Sequence, residues 1–307
     1  MRVLVTGGAG FVGSHVVDRL LADGHAVDVI DNLTTGRRER VHPTAQLHVC
    51  DLRAARLDAV FAAAQPDIVV HVAAQAAVPR SVADPLFDAS VNVLGTIALL
   101  ETCRRVGVRR VLYTSTGGAG YGDTDVLPTP EDHPLRPASP YGVSKVTGER
   151  YLECWAGLTG GRGLTLRLAN VYGPRQDPAG EAGVIAIFTS RLLVGDPCIV
   201  NGDGEQTRDY VYVGDLVEAA AQAARKGGAG TWNLGTGIET SVNSLFGLIA
   251  KALDYRGEPE FVAQPPGEQR RSVLDGSAAQ RAFALPPYTA LDKGIPVTAE
   301  WFRKNRR

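Results

Sequence analysis

The sequence predicts an α/β fold, a doubly wound parallel sheet followed by a smaller C-terminal α/β domain. Two observations carry that prediction. Short β-branched runs alternate with helically spaced apolar residues through the first half, and a glycine-rich turn joins the first run to the first helical pattern. Neighbouring parallel strands must be joined by a long crossover, usually a helix, so this alternation specifies βαβ units.

The elements follow in order. RVLVT (2–6) is a short apolar strand, and FVGSHVVDRLLADG (11–24) carries Val12, Val16, Val17, Leu20 and Leu21 at helical spacing and stops at Gly24. AVDVI (26–30) and QLHVC (46–50) are the next strands. IVVHVAA (68–74) is almost continuously apolar, as a strand buried on both faces should be. A helix around 89–106 and the strand RVLYTS (110–115) complete the run. Beyond about residue 160 the alternation loosens. LTLRLANVYG (164–173) reads as strand then loop, a Gly/Pro/Asp-rich stretch (173–183) precedes a helix at 184–194, and NGDGEQTRDYVYVGDL (201–216) reads as turn, strand and helix start. QPPGEQRRSVLD, a short helix, LPPY and a final helix make the tail.

Composition narrows the class. With 307 residues, 44% of them hydrophobic, the chain can bury one large core or two smaller ones. A net charge of −1, with no like-charge block in the body, asks for neither nucleic acid nor an anionic membrane as partner. The short basic end (Arg303, Lys304, Arg306, Arg307) reads as a solvated helix terminus. Cys50, Cys103, Cys154 and Cys198 are scattered, without a Cys-x-x-Cys pair or a histidine cluster, so neither a disulfide framework nor a metal site is expected. MRVLVTGG starts directly with a strand, and no apolar run is long enough to span a bilayer, which makes a reducing cytoplasm the expected compartment.

TGGAGFVG (6–13) supplies Gly7, Gly10 and Gly13 between the first strand and the first helix. The first glycine allows a tight turn, the second lets backbone approach a pyrophosphate, and the third lets helix and strand pack closely. The helix start then offers unpaired N–H groups and a positive dipole end to the anion. This placement makes the sheet Rossmann-type and the cofactor a dinucleotide. Asp31, ending the second strand, stands where a carboxylate meets ribose hydroxyls, favouring NAD over NADP, although Arg37 and Arg38 follow closely. Asp51 and Leu52 follow the third strand, where they flank an adenine or Asp51 simply caps a helix. The expected domains are an NAD-binding domain over 1–170, to which 212–235 return, and a cap over 171–211 and 236–307 packed on the sheet's carboxyl edge.

Candidate chemistry gathers at that edge. RVLYTST ends in Thr114, Ser115 and Thr116, Asn92 lies on the preceding helix, and SPYGVSK (139–145) opens a helix with Tyr141 and Lys145 four residues apart, hence on one face. Alone, the Tyr-x-x-x-Lys spacing occurs by chance in many helices. Oxidising a sugar alcohol needs a base for the hydroxyl proton, and a phenol near pKa 10 is poor at neutral pH. A nearby ammonium and a positive nicotinamide ring would stabilise the phenolate, while Thr116 would orient the same sugar oxygen.

TGGAGFVGSH, DNLTTG, HVAAQAAVPRSVADP, TSTGGAGYG, SPYGVSK, NVYGPRQDP and GDGEQTRDYVYVGDL together resemble the extended short-chain dehydrogenase/reductase family, closest to its UDP-glucose (UDP-galactose) 4-epimerase branch, over essentially the whole chain. The resemblance implies a tightly held NAD, a transient 4-keto sugar, a UDP-sugar substrate, and a homodimer built from helices at about 89–106 and 141–157. It implies Tyr141 as base, Lys145 as its partner on the nicotinamide ribose, and Thr116 at the sugar O4. Gly7, Gly10, Phe11, Val12, Asp31, Asn32, Gly36, Asp51, Leu52, Ala73, Ala74, Gln75, Asn92 and Thr114 fall at cofactor-contact positions. Asn170 and Arg208 match residues that bind the substrate diphosphate.

Two departures bear on the substrate. Pro265 stands where the family usually has a diphosphate-gripping arginine before Gly267 and Glu268, leaving Arg270 or Arg271 as substitutes. Related 4,6-dehydratases carry Asp-Glu directly after the threonine, and this chain has Gly117-Gly118, which favours epimerisation over dehydration. Arg191, in the apolar helix GVIAIFTSRLLVG, has two readings: an edge residue whose head reaches water, or a ligand for a C6 carboxylate. The second would make the substrate UDP-glucuronate/UDP-galacturonate. A net oxidoreductase and a non-catalytic dinucleotide sensor are the other readings, and the set of Tyr141, Lys145 and Thr116 argues against a sensor.

Overall fold

The computed structural model describes residues 1–179, 183–264 and 269–305. In chain order the elements are β1 (Arg2–Thr6), α1 (Phe11–Ala22), β2 (Ala26–Asp31), β3 (Gln46–Val49), α2 (Leu57–Ala64), β4 (Ile68–His71), α3 (Val78–Ala83), α4 (Pro85–Ala89), a π-type turn (Ser90–Leu94), α5 (Gly95–Val106), β5 (Arg110–Thr116), α6 (Gly118–Tyr121), α7 (Pro140–Thr159) and β6 (Arg162–Leu168). There follow β7 (Asn170–Tyr172), α8 (Val184–Val194), β8 (Ile199–Asn201), β9 (Thr207–Arg208), β10 (Tyr210–Tyr212), α9 (Val213–Lys226), β11 (Gly230–Leu234), β12 (Thr240–Ser241), α10 (Val242–Leu253), β13 (Glu260–Val262), β14 (Arg271–Ser272), α11 (Ser277–Phe283) and α12 (Leu291–Lys304).

The chain divides into two units, Met1–Gly120 with Pro137–Arg167 and Val217–Trp232, and Tyr121–Arg136 with Leu168–Leu216 and Asn233–Arg307. The excursion Tyr121–Arg136 into the second unit falls inside the continuous 1–170 stretch read from the sequence.

The first unit is built on a seven-stranded sheet in the order β11-β6-β5-β4-β1-β2-β3. β3, β2, β1, β4 and β5 are mutually parallel, as the alternation predicts. Register aligns Thr6 with Ile30 and His71, and His71 with Tyr113, so β1, β2 and β4 end within a residue of one level at the carboxyl edge while β5 runs on to Thr116. The loops after them leave from that edge, where open parallel sheets bind ligands. Behind it, Leu4, Val69, Val111 and Tyr113 pack with Phe61, Leu99, Leu100, Cys103, Leu152 and Trp155 of α2, α5 and α7.

The expected helix at 89–106 starts earlier, at Pro85, with Asp84 as its N-cap accepting from the Phe87 N–H at 2.9 Å. Helical structure runs to Val106, long and apolar enough by composition to cross a membrane. It serves instead as a core helix, burying Leu99, Leu100 and Cys103. β4 ends at His71, so Val72–Ala74 form the loop rather than the strand expected to reach 74. In the second unit, α8, α10 and α12 pack around Phe188, Leu245, Phe246, Ile249 and Ile295, and the described residues also form two strand pairs, β10-β7 and β13-β8, and a three-stranded sheet, β12-β9-β14.

Candidate active site

Glycine geometry shapes the loop after β1. Gly7 has φ +70°, and a Cβ there would lie 2.7 Å from the Ala73 nitrogen. At Gly13 a Cβ would stand 2.1 Å from the Gly7 carbonyl oxygen. Only bare backbone closes this turn, which brings the start of α1 against the loop after β4. Gly10 caps α1 without a side-chain hydrogen bond, and no acidic residue stands in the first turn. The helix end therefore keeps its positive field for an anion.

Asp31 is buried at the end of β2, accepting from the Ala9 N–H at 3.0 Å and the Leu33 N–H at 2.8 Å. It braces the glycine loop, and a Cβ at Gly36 would meet its Oδ1 at 2.6 Å. Asn32 donates to Asp51 at 2.9 Å. The Asp51 carboxylate is held well below its ordinary range, chiefly by hydrogen bonds from Arg53. Asp51 is therefore an ion-paired rim group and not the N-cap of α2, which begins at Leu57 behind Arg56.

α7 is positioned by Ser139, whose Oγ accepts from the Gly142 N–H at 3.1 Å, with Pro140 preset for the first turn. Gly142 and Gly148 let the helix lie close: a Cβ would stand 2.2 Å from the Ala119 oxygen at one and 2.4 Å from the Tyr113 hydroxyl at the other. Tyr141, Lys145 and Glu149 then descend one face. Thr116 at the end of β5 lies near enough to the Tyr141 hydroxyl to lower it, and the Lys145 Nζ lies 4.3 Å from the Tyr113 ring centroid. Glu149, fully buried, is gripped by Arg167 of β6 at 2.7 Å.

Electrostatics in this cluster depart from expectation. Burial pushes the Tyr141 phenol up to about 12, against the downward pull of the Thr116 hydrogen bond. Burial also pushes Lys145 down to about 7, opposed by Glu149 and Asp88. Lys145 has thus lost its proton before Tyr141 titrates, so its ammonium does not lower the phenol in the protein alone. The positive charge a phenolate needs must come largely with the cofactor.

Asn92 sits at the π-type turn, a local widening often found at functional sites. Its side chain is spent within the protein. Oδ1 accepts from the Gln75 N–H at 2.8 Å, and Nδ2 donates to Gln75 O, Asp88 Oδ1 and Ser144 Oγ at 2.9–3.1 Å. Gln75 is likewise committed to Ala77 and Asp88, and Thr114 to the His71 carbonyl. These residues shape the loop containing Ala73 and Ala74 rather than offer free side-chain groups. Asp88, Ser144 and His71 are members that the sequence reading missed. The one available signal was Asp88, placed four residues before Asn92 on a helix.

The remaining candidates belong to the second unit. Asn170 opens β7, paired with Tyr210, and Arg208 in β9 donates to the Thr207 carbonyl at 2.8 Å. Arg191 donates its Nε to the Pro197 carbonyl at 2.6 Å, bracing the turn after α8. Arg270 pairs with Asp203 and Arg271 with Glu239, both at 2.8 Å. Pro265, Gly267 and Glu268, and the chain end Arg306–Arg307, lie outside the described residues.

Residues 3–235 match the profile of the NAD-dependent epimerase/dehydratase family. The chain belongs to that family. It is 48% identical to UDP-glucose 4-epimerase of Mycolicibacterium smegmatis over 99% of both chains. Its fold matches that of UDP-glucose 4-epimerase from Thermotoga maritima, solved with UDP-glucose, with a TM-score of 0.97 and 44% identity over 100% of both chains. The Thermus thermophilus UDP-glucose 4-epimerase, solved with NAD, gives 0.94 and 43% over 99% of this chain and 100% of that one. The glycine cradle, the uncapped start of α1 and the buried Asp31 fit the family's dinucleotide: backbone approach is open where phosphates would lie, and a fixed carboxylate stands where ribose would lie.

Proposed function

We infer that this protein is an NAD-dependent UDP-glucose 4-epimerase, interconverting UDP-glucose and UDP-galactose by inversion at C4 through a 4-keto intermediate. What carries the reading is the placement of Tyr141 and Lys145 one turn apart on one face of α7, with Thr116 at the end of β5 close enough to lower the phenol. Bound NAD supplies a reversible two-electron acceptor for C4, together with the positive charge that the buried phenol lacks.

The residues divide the remaining work. Gly7, Gly10, Phe11 and Val12 would receive the pyrophosphate on backbone N–H groups, and Asp31 with Asn32 would hold the adenosine ribose. Tyr141 takes the proton from the sugar O4 as the alcohol becomes a ketone, keeps it at Oη, and returns it after the sugar has presented its other face. No net proton is consumed. Thr116 aligns the phenol and the sugar oxygen, and Lys145 supports the phenolate and the nicotinamide ribose. Asn170 and Arg208 would bind the diphosphate.

Gly117-Gly118 follow Thr116 without the acid–base pair that water elimination requires, which favours epimerisation over dehydration. The uronate reading is not favoured, because the relatives named above are UDP-glucose enzymes. We place the protein in the cytoplasm, consistent with its four unbonded cysteines. We also propose a homodimer through the helices at about 89–106 and 141–157, at whose ends Leu86 (83% exposed) and Leu158 (80%) leave apolar surface in contact with solvent.

Purified protein incubated with a panel of UDP- and dTDP-sugars, scored by NMR, tests the reading. C4 inversion of UDP-galactose is expected, abolished by Tyr141→Phe with NAD still bound. Turnover retained in that variant, or a dehydrated product, would overturn it.

A further inference from the structure

We propose that Asp209 is a positioning residue for the substrate: its buried carboxylate locks together the strand ends that present Asn170 and Arg208 to the nucleotide diphosphate. The inference rests on the assignment of those two residues to the diphosphate in the reading above.

Asp209 lies between β9 and β10 and is 1% exposed. Four donors from two segments distant in sequence converge on its side chain. Oδ1 accepts from the Thr236 N–H at 2.9 Å and from the Thr236 hydroxyl at 2.6 Å. Oδ2 accepts from the Gly237 N–H and the Leu274 N–H, both at 3.2 Å. A Cβ at Gly235 would stand 2.5 Å from Oδ2, so the chain after β11 closes tightly round the group. Burial pushes the carboxyl up, and the hydrogen bonds from Thr236, Leu274 and Gly237 oppose it. All four of these neighbours donate, and only a carboxylate accepts on both oxygens.

The backbone of the same residue ties in the two substrate candidates. The Asp209 carbonyl accepts from the Asn170 N–H at 2.9 Å, and the Asp209 N–H donates to the Ser272 carbonyl at 2.9 Å. Ala169, beside Asn170, donates to the Leu234 carbonyl at 2.9 Å, at the end of the strand whose following loop the carboxylate holds. Arg208 precedes Asp209 and stands in register with Thr240 of β12 and Ser272 of β14. Asn170 and Arg208 therefore belong to separate sheets, β10-β7 and β12-β9-β14, and Asp209 is the residue at which those sheets join. Two groups on separate sheets grip one diphosphate only if their spacing is fixed. The carboxylate fixes it, because it binds the β11–β12 loop and β14's following residues to the junction.

Asp209→Asn tests the proposal on the purified holoenzyme. The amide keeps one acceptor and turns an NH2 group towards donors that already face it. Calorimetry with UDP should show binding about tenfold or more weaker than in wild type, with uridine, which lacks the diphosphate, bound nearly as before. In turnover, KM for UDP-galactose should rise by a similar factor, while kcat stays within about threefold and bound NAD is unchanged. Unchanged UDP affinity, an equal loss for UDP and uridine, or a fall in kcat at constant KM would overturn the proposal, even if the melting temperature dropped. Should Asp209→Asn give no soluble protein, Thr236→Val decides. It removes the hydroxyl donor and keeps the side-chain shape, so UDP should bind more weakly with uridine unmoved, and unchanged UDP affinity would overturn the proposal. Wild type that binds UDP without epimerising UDP-galactose would sink the functional reading instead, and the calorimetric comparison would still decide this one.

Discussion

Tyr141 and Lys145 share a face of α7, and burial acts on them in opposite directions, raising the phenol to about 12 and lowering the amine to about 7. The Thr116 hydrogen bond is the one contact that lowers the phenol. Thr116→Val should therefore shift the acid limb of the kcat profile to higher pH and reduce kcat about 10–100-fold, an effect measured by initial rates across pH. His71 gives a second prediction. Thr96 donates its proton to the Asn92 carbonyl at 2.6 Å, so it accepts from Nε2 of His71, while Thr6 donates to Nδ1. Both ring nitrogens are satisfied only in the neutral form. Burial accordingly depresses His71 from 6.5 to about 3. Between those values the unfolded chain binds the extra proton, so folding stability should rise with pH through that window and be lost on acidification. Urea unfolding of His71→Gln should show a shallower slope there than wild type; an identical slope would remove His71 as the cause.

At the scale of elements, close approach without side chains positions the site. Gly13→Ala would drive a Cβ to 2.1 Å from the Gly7 oxygen, and Gly148→Ala would drive one to 2.4 Å from the Tyr113 hydroxyl. Each should cost about 1–3 kcal/mol by overpacking, measured by chemical denaturation. Gly13→Ala should also reduce NAD content, whereas Gly148→Ala should chiefly lower turnover by shifting α7. The phosphate loop was legible because three glycines at fixed spacing sit between a strand and a helix. Tyr141 and Lys145 were legible because i and i+4 share a face. Asp88 could have been found from its place four residues before Asn92 on a helix, whereas Ser144 and His71 could not, since each acts through a partner distant in sequence: Asn92 and Ser144 are 52 residues apart. The rise in the Tyr141 value was equally hidden, because a spacing carries no information on burial.

For the whole molecule, the alternating first half disclosed the parallel sheet and its strand ends, while the short strand pairs of the second unit had too little periodicity to be read individually. The proposed homodimer predicts that the double variant Leu86→Glu, Leu158→Glu runs as a monomer in light scattering where wild type runs as a dimer. Equal masses for both would contradict that assignment.

The central claim is that the protein inverts C4 and regenerates its cofactor within each turnover. The most direct test starts two reactions without added NAD, one from UDP-glucose and one from UDP-galactose, and follows both by NMR with absorbance near 340 nm recorded alongside. Convergence of the two on one equilibrium mixture, with no growing absorbance, is the expected result. Failure to interconvert the sugars, or absorbance accumulating in step with product, would contradict it.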